Sequence, residues 1–538
     1  MTVLPQPRKL SVSSGFSYLV GSLLVLVLAV RVSFLGVGAM TFPDEYRYYS
    51  SYEAIYGLFP VSHDGFSKFN SGISQTQGRP GDALLRVVPA SIQLVLYRAT
   101  GLDPHSQSSL LVPVIFNYFI TLCSLLLFYR IAQLLLRNQP AALLSTLVYA
   151  CLVNTNLYIR HVLPYDTGVL CVLATCYWAL RLKQHPEART PRALFGIGAL
   201  AGLAFTVYPG YNAAIVVAWL LVLEKQAFLS FNWKKLLGTS VAYGLGVAAV
   251  LLFFQLLSIA NGTSYFEDCL SLSDSIRQGD YADGFAFLPK YLFEAEQSLG
   301  YLLAGLALLA VPVLLFRVFR GRLTGARILG LLSDNILVIG MVLAFLWYAV
   351  MVYYLEKMVF YGRILHLYIP FFVLLIARVL YPVARRNLQF VPAVLVAGVA
   401  LYSFAVFTRQ YHQIIYPVTY LSQHGHEYLH SRVLNKDQSP TADNGDYYQA
   451  RNVFMLPPPI PGRPQIAIVN MSFLYPIKDE GWCNEIKLPP SFKLIYTAPH
   501  FLTLPAYSFE GCRMDERAVI YRCQYQCQVY RESATAKR

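Results

Sequence analysis

The chain has 538 residues, 56% of them hydrophobic and only 13% charged, and carries a formal net charge of +14. Its apolar residues recur in blocks of about 20, which excludes an ordinary water-soluble enzyme and specifies a polytopic α-helical membrane protein. In a soluble chain such a charge would indicate nucleic acid, but here the basic residues sit between apolar blocks, so they report membrane topology and no nucleic-acid partner is expected.

The first apolar block, residues 17–39, holds a single charge, Arg31, and at 1.5 Å per residue crosses a hydrocarbon layer of roughly 30 Å. It is longer than a signal-peptide core and is read as a retained anchor. Further spans are expected at 110–136, 140–158, 163–182, 193–209, 211–224, 236–259, 298–319, 333–355, 363–381 and 388–408, about 11 in all. The fifth and sixth are short and meet at Tyr208-Pro209-Gly210-Tyr211-Asn212, an elbow that fits either two crossings or a re-entrant hairpin. Basic clusters such as Arg130 and Arg137, Arg181 to Arg192, and Arg378 to Arg386 all fall on one side of this layout. The positive-inside rule makes that side cytoplasmic. The N-terminus is then inside and segments 41–109, 261–297 and 409–538 are outside, as expected for a bacterial inner (plasma) membrane protein.

Within 41–109, stretches 46–58 and 82–100 place apolar residues at helical spacing and are expected to lie in the membrane interface. A twelfth span over 84–99 is the alternative, and Arg86 and Arg98 oppose it. After Arg409 the apolar blocks stop, so residues 409–538 are expected to form a separate extracytoplasmic mixed α/β domain, with strands at 465–469, 492–497 and 518–523. Cys483, Cys512, Cys523 and Cys527 in that domain suggest two disulfides, with a zinc site as the competing reading. Cys123, Cys151, Cys171 and Cys176 lie in spans as small apolar side chains, and Cys269 is left over.

The polar residues that invite a chemical reading gather at the outer ends of spans. Phe42-Pro43-Asp44-Glu45-Tyr46-Arg47-Tyr48 follows span one; its acids favour a helix N-terminus, but capping does not account for Arg47 one turn on. Arg160, His161, Tyr165 and Asp166 lie between the third and fourth spans, where Asp166 fits either a helix cap or an active-site acid. Arg363 is costly in an apolar setting and calls for a phosphate or carboxylate partner. Tyr46 and Tyr48 fit either sugar stacking or interfacial anchoring. The histidines of 424–430 fit a solvated segment better than a metal site, and the sequons at Asn261 and Asn470 are common by chance.

The order of these motifs resembles the C-type glycosyltransferase superfamily over about the first 400 residues, and within it the branch of protein O-mannosyltransferases and lipid A aminoarabinose transferases. The family's Asp-Glu-x-Arg-Tyr is matched by Asp44, Glu45, Arg47 and Tyr48, and its second acid by Asp166. A late Arg-Tyr…Pro pattern is matched by Tyr361-Gly362-Arg363 through Pro370, while the usual Lys-Pro of the first loop is replaced by Arg79-Pro80. The resemblance implies that residues 1–408 form a transmembrane glycosyltransferase domain. It would transfer one sugar from a polyprenyl-phosphate donor to a lipid, glycan or protein acceptor, among membrane lipids, on the outer face.

On their own chemistry, Asp44 is the expected general base, Glu45 supports it, and Asp166 is a second acid. Arg47, Arg79, Arg160 and Arg363 are expected on the donor phosphate, and Tyr46, Tyr48, His161 and Tyr165 against acceptor or sugar. Displacement assisted by one carboxylate implies inversion. Some members of the superfamily hold a divalent cation, Mg or Mn, at the acidic pair, which here is Asp44 and Glu45. A transporter or flippase of lipid-linked saccharides is the competing class, but no repeated halves are visible and the charges sit at the outer mouth rather than the midplane. A polymerase or ligase would rely on a large external loop rather than an acidic pair.

Overall fold

A computed structural model describes residues 12–35, 47–58, 62–74, 79–104, 107–159, 161–223, 232–277, 287–320, 333–355, 362–384, 390–414, 434–435, 453–456, 464, 466–470, 490–497 and 527–533. Every span expected from the apolar blocks coincides with a helix. These are α1 (Val12–Arg31), and then, after three helices of the first loop, α5 (Gln107–Leu136), α6 (Gln139–Cys151), α8 (Pro164–Gln184), α9 (Pro191–Val207), α10 (Ala213–Val222), α11 (Trp233–Ile259), α14 (Gln297–Arg320), α15 (Ile336–Leu355), α16 (Gly362–Ala384) and α17 (Phe390–Ile414). Among the described residues six helices are long and apolar enough to cross a membrane, at Gly15–Leu35, Ser108–Leu136, Trp233–Ile259, Gln297–Phe316, Ile364–Tyr381 and Val391–Arg409. These helices carry large apolar side chains that face away from the protein, among them Leu252, Phe253 and Leu256 on α11 and Leu308, Leu309 and Phe316 on α14. Such surfaces require lipid rather than water. Helix α10 is only ten residues long, and the 3-10 turn Pro209–Tyr211 joins it to α9, so the elbow at 208–212 is a sharp break between two short helices.

Hydrogen bonds identify the two ends of the bundle. At one end Arg378 donates to the Leu135 carbonyl and to Asn335 Oδ1, Arg189 to the Val222 carbonyl, and Lys183 to the Ser333 carbonyl. Residues read only as topology signals therefore also satisfy backbone carbonyls, and those of Leu135 and Val222 lie at helix C-termini, where cations are favoured. At the other end Arg31 reaches the turn after α6, and Leu299 N–H donates to Ser403 Oγ.

In the first loop, α2 (Arg47–Gly57) and α4 (Pro80–Thr100) match the expected stretches, whereas α3 (His63–Ser74) was not foreseen. Its sequence is polar, with apolar anchors Phe69 and Ile73; Ile73 packs with Tyr265 of α12 (Tyr265–Arg277), and Ser74 Oγ accepts from Asn261 Nδ2. The first and second loops thus share one layer. Among the described residues after Ile414 there are strands and no helix. They form an antiparallel sheet of order β1-β2-β3-β5-β4, built from Leu434–Asn435, Val453–Leu456, Ile466–Asn470, Phe492–Thr497 and Cys527–Glu532. The strands expected at 465–469 and 492–497 are present within a residue. The one expected at 518–523 lies outside the described residues, as do Cys483, Cys512 and Cys523 and the side chain of Cys527. Cys123, Cys151, Cys171, Cys176 and Cys269 are free thiols.

The tightest helix pair, α9 with α11, depends on glycine at the crossing. A Cβ on Gly198 would stand 2.0 Å from the Tyr243 carbonyl oxygen, and one on Gly246 would stand 2.0 Å from that of Phe195. Small residues of this kind let backbones approach where lipid supplies no hydrophobic drive for association. Gly198→Leu should therefore cost about 1–3 kcal/mol or more by overpacking, read as a lower unfolding temperature in detergent, whereas Gly196→Leu, whose site is open, should be nearly neutral.

Candidate active site

The site end of the bundle is organised by buried charge. Arg86 of α4 is almost wholly enclosed, yet its guanidinium is well satisfied: Nε donates to Asp82 Oδ2 (2.9 Å), one terminal nitrogen to Asn117 Oδ1 (2.9 Å), and the other to the Leu163 carbonyl (2.5 Å) and Thr167 Oγ1 (3.3 Å). Asn117 passes the connection on by donating to the His161 carbonyl. Leu163 is the N-cap of α8, so Arg86 and Asn117 together fix the turn that launches that helix from α4 and α5. The arginine that spoke against a span at 84–99 is in fact the hub of this end.

Asp166 stands in the first turn of α8 and is buried. It is not the helix cap, a position taken by Leu163. Its Oδ1 pairs with His366 Nε2 at 2.7 Å, and Thr121 Oγ1 lies 3.4 Å from Oδ2. Arg31, at the C-terminal end of α1, attracts it electrostatically while donating to Asn156 Oδ1 and to the Thr155 carbonyl (3.0 Å). The cation in span one is thus held by α7 (Val153–Leu157) beside a carboxylate, as expected for a buried charge that must be paired.

The start of α7 is also held by Glu296, which follows α13 (Phe287–Lys290) and the π-helical turn Tyr291–Ala295 and directly precedes α14. Its carboxylate accepts from Val153 N–H (3.0 Å), Asn154 N–H (3.2 Å) and the Tyr291 hydroxyl. Burial pushes this carboxyl up to about 7, against the pull of those three donors.

Of the residues expected at the site, the structure brings together Asp166, Tyr165, His161 and Arg79. Tyr165 and His161 are fully buried. Tyr165 packs edge-on to Tyr158 (4.9 Å between centroids) and Tyr208 (5.2 Å), and the guanidinium carbon of Arg79 lies 5.1 Å from the Tyr208 centroid. Tyr48 is also buried and donates its hydroxyl to Gln93 Oε1 (2.5 Å), so it anchors α2 on α4; burial raises its phenol further and keeps it a donor. Asp44, Glu45, Tyr46 and Arg160 lie outside the described residues, as does the 424–430 histidine segment, while Arg47 and Arg363 are placed by backbone alone, at the first residue of α2 and the second of α16. Among the described residues no three His, Cys, Asp or Glu side chains converge to hold a metal, and the acidic pair is not among them. The sequence reading missed His366, Arg31, Arg86 and Glu296 as members of this end. Arg31 had a signal, as the one charge in an apolar run, but the partners of His366 and Glu296 lie far away in sequence.

Helical architecture, lipid-facing apolar surface and buried charge at one end define a polytopic membrane protein with a polar site at a helix-bundle mouth. Residues 105–259, which carry Asn117, Thr121, Asp166 and the 208–212 elbow, match the dolichyl-phosphate-mannose-protein mannosyltransferase family. This is the branch that the motifs resemble. No curated protein matches the chain.

Two outcomes follow from the buried charges. Arg86→Ala leaves Asp82 and the Leu163 carbonyl without their donor and should cost about 3–5 kcal/mol, and Arg86→Lys should recover only part of it because the fork is lost; detergent-phase thermal unfolding measures both. The raised Glu296 carboxyl favours the folded state most strongly below the ordinary glutamate range near pH 4.5, and this contribution is lost as pH rises through about 7. Glu296→Gln should therefore flatten the pH dependence of stability across that window.

Proposed function

We propose that this protein is an inverting glycosyltransferase that moves one sugar from a polyprenyl-phosphate donor to a lipid, glycan or protein acceptor on the outer face of a bacterial inner membrane. One observation carries the reading. The segment that matches the mannosyltransferase family contributes a buried carboxylate, Asp166, and a ring, Tyr208, under the Arg79 guanidinium. Both lie at the end of the bundle where span one terminates.

The step follows from the residues. An acceptor hydroxyl oxygen attacks the anomeric carbon and the bond from that carbon to the phosphate oxygen breaks; the electron pair leaves with the lipid phosphate, and the hydroxyl proton passes to Asp44. A lipid phosphate is a good leaving group, so charge stabilisation matters more than a general acid. Arg47, Arg79, Arg160 and Arg363 supply it as forked donors. Glu45 orients the motif, and Asp166, held by His366, completes the acidic side of the site beside His161 and Tyr165. In this reading eleven helices cross the membrane and residues 409–538 form the extracytoplasmic domain. The basic ends of the helices then face the cytoplasm.

Asp44→Asn should lower transfer from a polyprenyl-phosphate sugar by about a hundredfold or more while the unfolding temperature stays unchanged. The anomeric configuration of the product, read by NMR, should be inverted. Full activity in Asp44→Asn overturns the assignment of the base, and a retained configuration overturns direct displacement.

A further inference from the structure

The elbow at Tyr208-Pro209-Gly210-Tyr211 stood out in the sequence only as the meeting point of two short helices. In the structure it lies beside the residue expected to hold the donor phosphate. Tyr208 ends α9 in extended conformation (φ −149°, ψ 101°), and its amide closes the last turn by donating to the Ala204 carbonyl. Pro209 starts the 3-10 turn that follows, and Tyr211 N–H donates back to the Tyr208 carbonyl. The Tyr208 ring is thereby fixed at a helix end, packed against Tyr211 (4.7 Å) and Tyr165 (5.2 Å).

Arg79 arrives over this ring from α4, and its approach is built into the backbone. A Cβ on Gly81 would stand 2.4 Å from Thr206 Oγ1 and 2.9 Å from the Val207 nitrogen, so only glycine lets the start of α4 lie against the end of α9. Pro80 at the first helical position fixes the backbone between them. The Arg79 side chain makes no cap hydrogen bond to its own helix. From Tyr208 the rings continue through Tyr165 and Tyr158 to His366 (5.2 Å from Tyr158) and so to Asp166. Buried rings therefore connect the Arg79 guanidinium to the Asp166 carboxylate.

We propose that Tyr208 is a positioning residue for phosphate recognition. Its ring face holds the Arg79 guanidinium in place by cation–π contact and so directs that charge to the phosphate of a polyprenyl-phosphate lipid. The ring suits the task because it orients a cation without placing a second charge that would compete with the phosphate, as a carboxylate partner would. The inference rests on the reading of Arg79 as a phosphate ligand given above.

The test compares the affinity of the full-length protein for a polyprenyl monophosphate with its affinity for the uncharged polyprenol of the same chain length, both in nanodiscs. The ratio of the two isolates recognition of the charge. Tyr208→Leu should lower this ratio about tenfold with polyprenol affinity unchanged, and Tyr208→Phe, which keeps the ring, should restore it. In an Arg79→Ala background Tyr208→Leu should have no further effect on the ratio. If Arg79→Ala itself leaves the ratio unchanged, the phosphate reading of Arg79 fails. If Arg79→Ala lowers it and Tyr208→Leu does not, only the positioning role of Tyr208 is overturned. Equal loss of phosphate and polyprenol binding in Tyr208→Leu would assign the ring to packing alone and would likewise overturn the proposal.

Discussion

The guanidinium of Arg86 is the interaction on which the rest of this end depends. Buried cations are destabilising unless every donor finds an acceptor, and here the acceptors come from α4, α5, the turn before α8, and α8 itself. A planar fork can serve partners in several directions at once, which a lysine cannot. By binding the Leu163 carbonyl and Thr167 on either side of Asp166, Arg86 sets the position of that carboxylate without touching it. The helices of the first loop and the site acid are therefore one mechanical unit.

Two further clamps act on α7, the short helix just before that turn. Arg31 holds Asn156 and Thr155 from the end of span one, and Glu296 holds Val153 and Asn154 from the start of α14. Three charged side chains from three separate parts of the chain thus converge on residues 153–167. That rigidity suits a site in which a lipid phosphate and an acceptor must meet at fixed distance, because effective concentration rises only when both groups are held in reacting geometry.

The helices of the bundle were legible because an apolar block of about 20 residues has almost no other physical solution in lipid. Asp166 was legible as a polar residue at a helix start, and the strands at 466–470 and 492–497 as short β-branched and aromatic runs between turns. Helix α3 was not, since its few apolar anchors are spaced among polar residues and only packing with Tyr265 gives them a face. The partnership of His366 with Asp166 across 200 positions was not legible either, because pairing at such separation is decided by tertiary contact. Arg86 was read with the wrong consequence. It was taken only as an argument against a span over 84–99, whereas its side chain is a buried hub.

The arrangement gives each end of the bundle a distinct electrostatic task. Basic side chains at one end satisfy backbone carbonyls, while at the other end Arg86 pairs with Asp82 and His366 with Asp166. The central claim is that the second end receives a lipid phosphate. A cryo-electron microscopy structure with a non-hydrolysable polyprenyl-phosphate sugar analogue tests it most directly. The phosphate should lie within hydrogen-bond distance of Arg79 and Arg47, with the sugar directed toward Asp44; a phosphate bound at the end marked by Arg378 and Arg189, or away from both Arg79 and Arg47, would contradict phosphate binding at this end.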